Sequence, residues 1–99
     1  MKREQVLKII IENVKNLVDT YPENQRFNVD ENTILFGLKS EIDSLSLVSV
    51  IVDLETEFYD SFNIEISLTD DRAMTREISP YDNISVLGDY IVELVAEKL

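Results

Sequence analysis

Ser44 is the residue of this chain best placed to carry chemistry. It lies between Asp43 and Leu45, where apolar residues begin to recur at helical spacing, so it is expected at or next to a helix N-terminus. A serine there is exposed. A phosphate attached to it would meet unpaired backbone N–H groups and the positive end of the helix dipole. The plainer role for Asp43 and Ser44 is N-capping, in which a side-chain oxygen accepts from those same N–H groups. Position alone leaves both roles open.

The residue types that are missing narrow the choice. There is no cysteine and no histidine among the 99 residues. A disulfide framework, a thiolate nucleophile and a sulfur metal site are therefore excluded, and any thiol chemistry has to be imported. The commonest general base near neutral pH is missing too, and with it any Ser-His-Asp hydrolase. Catalysis would have to rest on carboxylates, and no paired carboxylates fall in a recognisable cleft pattern, so the chain is not expected to be an enzyme. The net charge of −11 opposes binding to nucleic acid or anionic lipid and favours partners with basic surfaces.

Three amphipathic segments would have to position Ser44. From Lys2 to about Asp19, Val6, Leu7, Ile10, Ile11, Val14, Leu17 and Val18 share one face, with Lys8, Glu12, Lys15 and Asp19 opposite. From Ser44 to about Phe58, Leu47, Ile51, Leu54 and Phe58 form a core stripe. The last helix is expected from near Asn83, with Ile84, Leu87, Ile91, Leu94 and Val95 inward and Asp89, Glu93 and Glu97 outward. Between the first two, Pro22 to Asp43 has no sustained period but carries Ile34-Leu35-Phe36 before Gly37, so it reads as a long ordered loop packed across the core. Phe62 to Ile66 alternates like a strand without a partner and is expected to be an extended connection. Thr69-Asp70-Asp71-Arg72 could cap a short helix. With 44% hydrophobic residues the chain makes a single domain over 1–99: an all-α bundle of three main helices plus a short one. The charged start Met1-Lys2-Arg3-Glu4 and the periodic apolar residues after it predict no signal peptide, no membrane insertion and a cytoplasmic location.

These residues together resemble the acyl carrier protein family. Leu35-Phe36-Gly37 stands upstream of Asp43-Ser44-Leu45, and the 17 residues from Ile42 to Phe58 look like that family's second helix, including Leu54-Glu55 and the closing Glu57-Phe58. Downstream, Tyr81, Asn83, Ile84, Leu87, Tyr90 and Ile91 follow the spacing the family usually fills with Phe-x-Thr-Val, then Leu, then Tyr-Ile. The resemblance spans nearly the whole chain. It implies an acyl-carrier-protein-like bundle whose Ser44 receives 4'-phosphopantetheine from coenzyme A, flanked by Asp43 and Leu45. Acyl groups would be held as thioesters on the arm's thiol, which supplies what this cysteine-free sequence lacks. The implied partners are a phosphopantetheinyl transferase (holo-carrier synthase) and acyl-loading and acyl-processing enzymes of fatty acid, lipid, polyketide or related biosynthesis. The carrier itself is expected to be a monomer. Primary fatty acid carriers commonly have acids where this chain has Ser46 and Ser49, and the connection from Ser67 to Pro80, with Arg72 and Arg76, is long; a specialised pathway fits as well or better.

Between Ser40 and Asp71 there are nine acids and no Lys or Arg. Such a run is a solvated face or a docking surface for basic proteins. The acids lack the spacing of a calcium loop, so no metal site is expected. On a wheel of about 100° per residue, Leu45, Val48 and Val52 cluster on the flank near Ser44, away from the core stripe, with Glu55 about 20° and Val48 about 40° from the serine. Joined by Glu41 and Asp43, they make a docking face if exposed, or a second buried side of the helix if not. The competing class of function is an unmodified acidic helical module that binds a basic protein.

Overall fold

The computed structural model describes residues 2–37, 39–68 and 81–98. Among them are three α-helices and no strand: α1 (Arg3–Val18), α2 (Ser44–Phe62) and α3 (Ile84–Lys98). The short helix expected from Thr69 lies outside the described residues. No described helix is long and apolar enough to cross a membrane.

α1 starts where its periodic apolar residues start. Gln5 Oε1 accepts the Lys2 backbone N–H at 3.0 Å, the reciprocal half of a capping box, and Arg3 donates from Nε to Asp89 Oδ1 and from Nη2 to Ser85 Oγ, each at 2.7 Å. These bonds tie the first turn of α1 to the first turns of α3. Val6, Leu7, Ile10, Val14 and Val18 are buried as the spacing requires, and Ile9 joins them. α1 is the central helix, packing on both α2 and α3. Leu7 of α1 packs against Gly88 of α3, where an added Cβ would lie 2.6 Å from Leu7 Cδ2.

The connection from α1 to α2 begins with one 3₁₀ turn, Glu23–Gln25. It then crosses to α3 and supplies acceptors that the start of that helix needs. The Thr33 carbonyl accepts from Ile84 N–H at 3.1 Å and the Glu31 carbonyl from Ser85 N–H at 2.8 Å, while Asn83 Oδ1 caps the Val86 N–H at 2.8 Å. Leu35, fully buried, anchors this crossing in the core. Gly37 turns the chain at φ +117°, a conformation in which a side chain would be strained.

α2 runs one turn beyond the expected end near Phe58. It stops at Asn63, which adopts the left-handed conformation (φ 54°, ψ 36°), with Asn63 N–H donating to the Tyr59 carbonyl and Ile64 N–H to the Phe58 carbonyl, each at 3.0 Å. Leu47, Ile51, Leu54 and Phe58 form the buried stripe, together with Val50. In α3, Ile84, Leu87, Ile91, Leu94 and Val95 face inward, as does Tyr90. Among the described residues no charged side chain is buried, and Tyr90 brings a phenol into the core.

Candidate functional site

The first turn of α2 is built by Asp43. Its backbone is extended (φ −75°, ψ 162°), its carbonyl accepts the Leu47 N–H at 3.0 Å, and its Oδ1 accepts the Ser46 N–H at 2.8 Å. Ser46 Oγ adds a bond to Asp43 Oδ2 at 3.1 Å. The carboxylate is thus held on both oxygens by one residue. The backbone bond from Ser46, and then its hydroxyl, lower the Asp43 pKa from the ordinary 3.8. Asp43 is therefore the N-cap, and Ser44 is the first helical residue, at the positive end of the dipole.

The chain entering this turn is fixed. Ser40 Oγ accepts the Ile42 N–H at 3.0 Å and donates toward the Ile34 carbonyl at 3.1 Å, and Ile42 is buried. The hydroxyl clips the loop on either side of Gly37 to the core that α2 rests on.

Leaving Ser44, α2 presents a flank that separates cleanly from the core stripe. Leu45 is 83% exposed, Val48 56% and Val52 52%. Of the two arrangements open to these residues, the structure has the exposed one. The flank continues through residues that the sequence reading left out: Tyr59 is 57% exposed and Phe62 43%. On the same wheel they fall about 60° and about 0° from Ser44, a position readable only if the helix is carried past Phe58. Phe62 leans on buried Phe58, ring centroids 5.8 Å apart.

The acids around this flank are not equivalent. Glu41 and Asp53 are exposed. Glu55 is half-buried, and its Oε2 accepts the Leu68 backbone N–H at 3.0 Å, so it has a partner inside the fold. Glu57 accepts from Asn13 Nδ2 of α1 at 3.2 Å. A surface groove of about 470 Å³ lies between the C-terminal half of α2 and the chain returning beside it, lined by Glu55, Thr56, Tyr59, Asp60, Glu65 and Ile66. A more apolar hollow of about 420 Å³ lies between the loop and the start of α3, lined by Ile34, Phe36, Gly37, Lys39, Asp82 and Asn83.

The structure thus brings Asp43, Leu45, Val48 and Val52 onto the first three turns of one helix that Ser44 begins, and commits Glu55 in part to holding the segment after it. A backbone of this kind offers an anion at Ser44 a helix N-terminus, and offers a protein partner an apolar ridge edged by carboxylates. No family model, no curated protein and no solved structure matches the chain.

Proposed function

We propose that this protein is an acyl carrier protein, holding acyl groups as thioesters on a 4'-phosphopantetheine arm attached to Ser44. One observation carries the reading: Asp43 takes the capping position, so Ser44 begins α2 at the helix N-terminus without being needed as the cap. A phosphodiester at the first helical residue sits at the positive end of the helix dipole, where its charge is stabilised. The arm would supply the thiol that a chain without cysteine does not contain. Leu45, Val48 and Val52, exposed beside the attachment point and edged by Glu41 and Asp43, would receive the transferase and the acyl-handling enzymes. Their basic surfaces are steered by charge and held by apolar contact.

The exposed α2 ridge also favours a second reading, an unmodified acidic module that binds a basic protein through the same surface. Incubation with a promiscuous phosphopantetheinyl transferase and a fluorescent coenzyme A separates the two. The carrier takes one label per chain; Ser44→Ala takes none and keeps its helical circular dichroism, while Ser46 and Ser49 stay bare. Labelling that persists in Ser44→Ala refutes the assignment, and a folded wild-type protein that takes no label leaves the module reading.

A further inference from the structure

After Asn63 the chain turns back beside α2, and Glu55 holds the return. Its Oε2 accepts the Leu68 N–H thirteen residues further on, at 3.0 Å. Leu68 is fully buried and Ile66 nearly so, which makes this bond part of how the segment is seated in the core. Yet Glu55 is only half-buried, and its place on the wheel, about 20° from Ser44, puts it on the exposed flank of α2. One carboxylate therefore faces two ways: inward to a backbone amide and outward to whatever docks.

The groove beside it indicates which chemistry would dock there. Tyr59, exposed, offers surface for an aliphatic stem, and Glu55, Asp60 and Glu65 offer carboxylates for a cationic head. No Lys or Arg occurs between Ser40 and Asp71, and among the described residues no ion pair reaches these three carboxylates. Arginine suits such a site: its stem packs on apolar surface, its plane stacks on an aromatic ring, and its fork takes both oxygens of a carboxylate.

We propose that Glu55 is a clasp shared between the fold and the docking partner, so that an arginine-bearing segment engaging the α2 flank loosens Leu68 from the core. For its partner the proposal rests on the docking reading given above. The fork of an arginine takes both oxygens of a carboxylate, Oε2 included, and so competes with the Leu68 amide for Glu55. Even without displacement, it draws electron density away from the Leu68 bond. Docking at the surface would then be felt where the chain leaves α2.

Amide hydrogen exchange of the whole protein, read as the rate at Leu68 relative to Leu54 in the middle of α2, tests the clasp. In the free protein Glu55→Ala should raise that ratio about tenfold, the effect of losing one hydrogen bond to a charged group. Glu55→Gln keeps a carbonyl acceptor, and there the rise should stay within about threefold. A hexa-arginine peptide should raise the ratio in the wild-type protein and leave it unchanged in Glu55→Gln. An unchanged ratio in Glu55→Ala overturns the clasp, and so does a wild-type ratio that the peptide lowers or does not move. Ser44 labelling, scored separately on the same samples, decides the carrier reading whichever way Leu68 behaves.

Discussion

Val48 and Val50 stand two residues apart on α2 in opposite surroundings: Val48 is 56% exposed and Val50 2%. Introducing an aspartate at each separates docking from folding. Full burial of a valine contributes about 1.5–3 kcal/mol, so Val48, a little under half buried, has roughly 1 kcal/mol to lose. Val and Asp have similar helix propensities, which adds little. Against a total stability of about 5–15 kcal/mol for a domain of this size, Val48→Asp should fold, with a melting temperature lower by about 4–8 °C. Val50→Asp instead buries a carboxylate without a partner, at a cost of several kcal/mol, and should lose its cooperative transition at neutral pH. Labelling by the transferase is then measured at carrier concentrations well below KM, so that the rate reports kcat/KM. An apolar contact at the desolvated centre of an interface is worth about 1–2 kcal/mol or more, so Val48→Asp should be labelled about tenfold more slowly or worse. A folded Val48→Asp protein labelled at the wild-type rate would show that this flank does not receive the transferase. A Val50→Asp protein that melts like wild type would refute the assignment of the two faces.

With a net charge of −11, thermal stability should rise with added salt as carboxylate repulsion is screened; a melting temperature insensitive to ionic strength would mean that the acids are already well balanced within the fold. The folded-state pKa of Asp43 is depressed, so its contribution to stability is present above the ordinary value of 3.8 and is lost as pH falls through the lower folded value. Asp43→Ala should accordingly be less stable than wild type at pH 7, with the gap narrowing below about pH 4 in acid titrations followed by circular dichroism. At Gly88 an alanine gains about 1 kcal/mol of helix propensity, but its Cβ would press on Leu7 Cδ2 at 2.6 Å, and such overpacking costs about 1–3 kcal/mol. A net loss of about 1 kcal/mol in urea denaturation is expected, and a more stable protein would show that Leu7 moves aside freely.

Much of this was legible because helices advertise themselves by period. The apolar spacing placed α1 and α3, and the step from Asp43 to Leu47 marked the start of α2. The end of α2 escaped because its stop signal is one asparagine in the left-handed conformation, which composition does not distinguish from an asparagine on a helix surface. That single miss hid Tyr59 and Phe62, which lie on the exposed α2 flank only once the last turn is helical. The wheel fixed the angular position of Val48 and Val52 but not their exposure, since angle says nothing of which neighbouring segment covers a face. The bonds from Glu31 and Thr33 to α3, and from Glu55 to Leu68, follow no period at all. They join a loop or an extended segment to a helix across separations that only the folded chain closes. Gly88 reads in sequence as a weak point in a helix and in the structure as the place where the Leu7 side chain of α1 fills the space a Cβ would take.

Whether Ser44 carries phosphopantetheine is decided by the mass of one peptide from protein purified from its native host. Trypsin cuts after Lys39 and after Arg72, releasing residues 40–72 with Ser44 inside. This peptide should be heavier than its sequence by one phosphopantetheine, free or acylated, and fragmentation should place the added mass on Ser44. A peptide at its unmodified mass in cells that are actively making acyl products, or an added group on any other residue, would contradict the assignment.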